Sequence, residues 1–259
     1  MIAGWLSSRA SKEGLHGGAR PGFELLFYDE GTPRNQDQLN GMRQTLRNAY
    51  LEEDYVQARV NDHAYPTTED VYQSEAFSIY YRVRRGDFGE AIGEFLINEV
   101  PHLQCFLPRR NFAHKENNDL PARGFDYLGF QFSEVHGQDV LVIGEAKYRD
   151  RAVSRIYLSG QIALSEYSRE REIKELGKAA LHLHREGDVE ARERLARFNE
   201  GFSGPPFQRR HVLIVVHDST TSVARAIQRI PARTRLDAFT VIDVSIPRIN
   251  ELVDQAYAR

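Results

Sequence analysis

Apolar residues along this chain gather in short blocks, and the spacing inside each block predicts its element. Two blocks are unbroken, residues 140–143 and 212–216, and their apolar, β-branched character on both faces reads as buried central strands. Residues 23–28, 75–81, 103–112, 125–133 and 239–244 read as further strands, those at 23–28 and 75–81 short. Elsewhere the apolar positions recur at helical spacing. Leu39, Met42, Leu46 and Tyr50 predict a helix over 36–50, and Phe88, Ile92, Phe95 and Leu96 predict one over 87–97. Residues 153–198 read as two or three helices broken at Gly187-Asp188, 223–230 as a helix, and 247–258 as a terminal helix with Pro247 in its first turn. Residues 1 to about 20, rich in Ser, Gly and Ala, predict a loosely held start.

From residue 86 the order is helix, three strands, helices, strand, helix, strand, helix. That order predicts an α/β fold, a mixed central sheet flanked by helices on both faces. The first 80 residues read as an N-terminal α+β appendage and a candidate partner interface, with the main domain over 81–259.

The strand at 140–147 ends in a charged triplet, Glu145-Ala146-Lys147. Side chains alternate along a strand, so Glu145 and Lys147 share a face with Leu141 and Ile143. The link 134–138 is polar and holds a glycine, so the preceding strand folds back as an antiparallel hairpin. Four unpaired link residues set Asp126 opposite Glu145, and six set it opposite Lys147. Either register gathers the three on one face, because directly opposed residues have Cβ atoms about 5 Å apart. Charges closing a strand apolar on both faces are partly desolvated and need a physical reason. A hard cation held by Asp126, Glu145 and the Ala146 carbonyl supplies one, with Lys147 beside the attacking water: the pattern of a metal-dependent phosphodiesterase using Mg²⁺ or Mn²⁺.

Composition narrows the partners. The chain has 259 residues, 41% hydrophobic and 27% charged, with a net charge of −3. It lacks the overall basic balance of a dedicated DNA-binding domain, so contact with a nucleic acid falls to local patches. The candidates are Arg82, Arg84 and Arg85; Arg109 and Arg110; and Arg149, Arg151 and Arg155, the last cluster directly behind the triplet. A single cysteine, Cys105, excludes an intrachain disulfide and reads as a small core residue. With no apolar run near the ~20 residues of a membrane span and no secretory signal pattern, the expectation is a cytoplasmic protein with no membrane partner.

The helix–strand order, with Asp126 and Glu145-Ala146-Lys147 on adjacent strands, resembles the PD-(D/E)xK nuclease superfamily, whose fold is restriction-endonuclease-like. The proline of its first motif is replaced here by Phe125. More narrowly, Gly86-Asp87-Phe88-Gly89-Glu90, Gly124-Phe125-Asp126 and residues 141–148 are similar to the HamA nuclease subunits of the bacterial Hachiman anti-phage defence system. The resemblance covers about residues 80–250 and implies a Mg²⁺-dependent DNA endonuclease controlled by a HamB-like helicase subunit. It also implies that a glutamate of the preceding helix, Glu90, joins the catalytic set, and that Gln161 stands near the substrate. Tyr167 falls six residues after Gln161, not the four of the exonuclease-like members. His182 and His184 read as surface residues, and His217 as the cap of its strand. The rival expectation is a non-catalytic module that binds DNA or the helicase on a nuclease-like fold.

Overall fold

The computed structural model describes residues 6–9, 23–30, 35–108, 119, 125–135, 138–150, 154–200, 207–218, 236 and 238–258. Six strands form one mixed sheet: β1 (Leu6–Arg9), β2 (Phe23–Glu30), β3 (Tyr127–Gln131), β4 (Val140–Arg149), β5 (Gln208–His217) and β6 (Phe239–Ser245), in the order β1-β2-β6-β5-β4-β3. The four central strands run parallel, and β1 and β3 close the two ends antiparallel. The α/β fold with a mixed sheet is therefore as expected.

The unbroken apolar strands lie in the middle because both of their faces are covered. On one face pack α1 (Gln36–Tyr50), α4 (Tyr81–Glu99) and α8 (Ile249–Tyr257), around Phe88, Ile92, Val142, Ile214, Ile242 and Leu252. On the other pack α5 (Ser154–Ser165), α6 (Arg169–Glu186) and α7 (Val189–Glu200), around Leu141, Ile143, Tyr157, Leu176, Phe198 and Val215. Local chemistry sets the helix ends. Asn35 and Gln38 close α1 with a capping box. Ser168 caps α6 at its start, and Gly187, at φ 74°, ends it in the left-handed region that glycine enters without penalty.

Several expectations are corrected. The first 80 residues do not stand apart as an appendage: β2 hydrogen-bonds β6 along its length, and Met42, Leu46 and Tyr50 share a core with α4 and α8. Residues 75–81 are not a strand. A short helix α3 (Thr68–Val71) runs into a π-helical turn, Tyr72–Ala76, after α2 (Glu53–Asn61), and Phe77 packs edge-on against Tyr50 and Tyr257. Residues 103–108 give only a single bridge, Phe106 to Phe130. Pro247 precedes α8 instead of opening it. His182 is buried on α6, whereas His184 is exposed. The helix expected at 223–230 and the patch Arg109–Arg110 lie outside the described residues. Among the described residues, no helix is long and apolar enough to cross a membrane.

Candidate active site

The β3–β4 register pairs Tyr127 with Gly144 and Gln131 with Val140. This is the shorter of the two hairpin registers, and one step beyond its end Asp126 stands across from Glu145. Asp126, Glu145 and Lys147 therefore sit on the face covered by α5–α7, toward the carboxyl ends of the parallel strands. That end is where ligand sites of open α/β sheets gather.

Each of the three is held. The backbone N–H of Ala146 donates to Oδ2 of Asp126 at 2.7 Å, which pins the aspartate to the strand that carries the triplet. Glu145, 8% exposed, accepts on Oε1 from the Lys147 ammonium and on Oε2 from the Tyr167 hydroxyl at 2.8 Å. Burial pushes the Asp126 carboxyl up to about 7, and the neighbouring Glu145 charge adds to that; the Ala146 N–H, Lys147 and Arg171 pull the other way. Burial and the Glu145 charge push the Tyr167 phenol far above its ordinary range, so it acts as a neutral donor.

A second polar group lies on the same face, two strands across. Lys147 registers with Val215, and Val215 with Asp243. Asp243 accepts from Tyr157 on Oδ2 and pairs with His217 Nε2 at 3.1 Å, all three residues 1% exposed or less. Burial alone would lower the His217 imidazole, but the Asp243 hydrogen bond and charge raise it. His217 is thus a buried partner of Asp243, not a strand cap.

The packing of α5 brings these groups together. Gly160 lies against Leu213, which registers with Glu145, and a Cβ there would overlap the leucine side chain. Only a glycine lets α5 come this close to β5. The next residue, Gln161, is buried, and its Oε1 has no hydrogen-bond partner among the described residues.

Other expected site residues lie elsewhere. Glu90 is on α4, which packs on the opposite face of the sheet, and its carbonyl accepts from Tyr127 at 2.7 Å. The sheet separates it from Glu145, so it does not join the pair. Among the described residues, no group of three or more His, Cys, Asp or Glu side chains is placed to hold a metal ion. Two carboxylates remain, Asp126 and Glu145. They are hard oxygen donors whose mutual repulsion a divalent cation relieves, and Mg²⁺ tolerates so few protein ligands because it keeps several waters. The donor set fits that ion.

Among the arginines, Arg149 is exposed at the end of β4 and Arg155 is exposed on α5, while Arg151 lies outside the described residues. Arg85 is not a free cation. It stacks on Tyr81 and Tyr148, donates to Asn250 at 2.6 Å and pairs with Asp150, tying α4 to α8 and the end of β4.

Tyr167 and Arg171 were not expected in the site. Tyr167 is set aside in the sequence because it falls six residues after Gln161, and Arg171 carries no signal beyond its place after a serine helix cap, so neither position indicates where the turn will lead. No protein-family model matches the chain, and no curated protein matches it.

Proposed function

We propose that this chain is a Mg²⁺- or Mn²⁺-dependent DNA nuclease that hydrolyses phosphodiester bonds at the Asp126–Glu145–Lys147 cluster. The observation that carries this reading is the shared face: two carboxylates stand opposite each other across a hairpin, with a lysine two residues along the same strand. The restriction-endonuclease-like fold, membership of the HamA-type nuclease subunits, endonucleolytic cleavage, a helicase partner and a role in anti-phage defence belong to the same proposal. They are supported by the motifs around residues 86–90, 124–126 and 141–148.

Asp126 and Glu145, with the Ala146 carbonyl, would hold the cation, which would supply Lewis acidity toward the phosphate and lower the pKa of the attacking water. The chain's own groups do the rest. Lys147 orients the attacking water and offsets negative charge that develops on the phosphate oxygens. Tyr167, by its bond to Oε2, fixes the carboxylate of Glu145 in one rotamer. The Ala146 N–H does the same for Asp126. Because Lys147 is paired with Glu145 in this structure, its engagement with substrate requires that pair to open or to be shared.

The test is degradation of linear and plasmid DNA with Mg²⁺, by the chain alone and with a helicase subunit, using Glu145→Ala and Lys147→Ala as controls. Metal-dependent cleavage lost in both variants, with their circular dichroism unchanged, is the expected result. Cleavage by Glu145→Ala at the wild-type rate removes the assignment. No cleavage under any condition favours a non-catalytic module that binds DNA or a helicase.

A further inference from the structure

The buried side of α6 carries Glu172, Leu176 and Leu183, so its solvent side should be polar throughout. It is not. Ile173 and Leu181 stand 45% and 50% exposed, with the exposed Gly177 midway between them. Single exposed apolar residues are ordinary on a protein surface, but these are ordered. Glu170, Ile173, Gly177, Leu181 and His184 are all exposed, and helical spacing places them within about 80° of one another around the axis, in one stripe. Gly160 has an internal reason to be glycine, the approach of α5 to Leu213. Gly177 has none: a Cβ there would meet nothing within 4 Å, and glycine weakens a helix interior. A second backbone crossing at Gly177 would supply the reason.

The stripe is symmetric about that glycine. Ile173 lies four residues before it and Leu181 four after; Glu170 lies seven before and His184 seven after. Two copies of α6 laid antiparallel about a two-fold axis at Gly177 therefore set Ile173 against Leu181 of the second copy, and Glu170 against its His184, each contact occurring twice. The charges match as well. Arg192 contacts Nδ1 of His184 at 2.9 Å. A guanidinium only donates, so Nδ1 accepts, the ring proton is on Nε2 as a donor for a carboxylate, and Arg192 adds positive charge at that end. The helix is held firmly: Ser168 caps it, and Glu172 takes a two-pronged bond from Arg209 of β5, at 2.9 and 2.8 Å. We propose that this face of α6 binds a second copy of the chain, α6 against α6 in antiparallel register, and so makes a symmetric dimer. The proposal does not depend on the nuclease reading. One helix pair falls short of the ~1,000 Å² that a stable complex clears, so the dissociation constant should lie above about 1 µM.

Sedimentation velocity of the full chain, from micromolar to millimolar concentration, should show a monomer–dimer equilibrium. Leu181→Glu and Gly177→Glu should each weaken it about tenfold or more, the second because a residue on the two-fold axis meets its own copy. At dilution, where the monomer prevails, Gly177→Glu should melt about 1–3 °C above wild type, because glutamate favours a helix interior over glycine. Weaker association with a more stable fold is a result that misfolding does not produce. Glu170→Lys and His184→Glu should each associate poorly alone, since like charges then oppose. Mixed, the two should pair about as well as wild type, because both contacts are restored only when the helices run antiparallel. A wild type that stays monomeric throughout overturns the proposal, as does a dimer that none of the four variants weakens. A monomeric chain whose Leu181→Glu variant loses binding to a helicase subunit also overturns it and assigns the stripe to that partner.

Discussion

Replacing Asp126 by Asn should stabilise the metal-free protein at alkaline pH. The carboxyl is raised from 3.8 to about 7 by burial and by Glu145, so the folded state resists its ionisation. Between about pH 4 and 7 the folded chain binds more protons at this site than the unfolded chain does. Its contribution to stability therefore falls as pH rises through that window and is least favourable above pH 7. At about 1.4 kcal/mol per tenfold change in proton affinity, the full displacement is an upper bound of about 4 kcal/mol. Asp126 keeps part of its surface in water and shares its charge effect with Glu145, which brings the expected gain to about 1–2 kcal/mol. Asparagine retains an oxygen for the Ala146 N–H, so the 2.7 Å bond survives the change. In a chain of this size each kcal/mol moves Tm by about 2–4 °C. Thermal unfolding in EDTA at pH 5, 6, 7 and 8 should show Asp126→Asn melting higher than wild type at pH 8, with the gap closing toward pH 5. Added Mg²⁺ should raise the wild-type Tm and leave the variant unmoved. A variant that melts at or below wild type at pH 8, or a gap that does not depend on pH, refutes the account of two carboxylates held together against their repulsion.

Tyr157→Phe removes the hydroxyl bound to the buried Asp243 and should cost about 1.5–3 kcal/mol in urea unfolding, since among the described residues the carboxylate then keeps its His217 contact alone. Gly160→Ala gains about 1 kcal/mol of helix propensity but forces α5 away from Leu213, and overpacking of about 1–3 kcal/mol outweighs it. Its unfolding midpoint should drop, and its cleavage rate with it, because α5 and the turn to Tyr167 move together.

The central strands were legible because burial on both faces demands unbroken apolar runs, and 140–143 and 212–216 are such runs. The clustering of Asp126, Glu145 and Lys147 was legible for a related reason: the polar link at 134–137 leaves two registers, either of which puts the three on one face, and the structure takes the shorter. Residues 75–81 were misread because short apolar stretches do not distinguish a strand from a turn; there, Phe77 is buried while Ile79 and Tyr80 face solvent. Glu90 was misplaced because the resemblance that named it rests on a short motif, which does not report which side of the sheet its helix covers. Tyr167 reaches Glu145 through the turn between α5 and α6, where spacing along the chain no longer reports distance in space.

The pairing of β2 with β6 has a consequence for how the molecule comes into being. Leu25 finds its neighbour Val241 only after more than two hundred further residues have been made. At a synthesis rate of about 5–20 residues per second, β2 waits roughly 10–40 s for its partner. The hairpin carrying Asp126 and Glu145 is translated during that interval, yet β5 and β6, which complete the sheet beside it, emerge late. On the ribosome the sheet around the Asp126–Glu145–Lys147 cluster is thus among the last parts to be assembled.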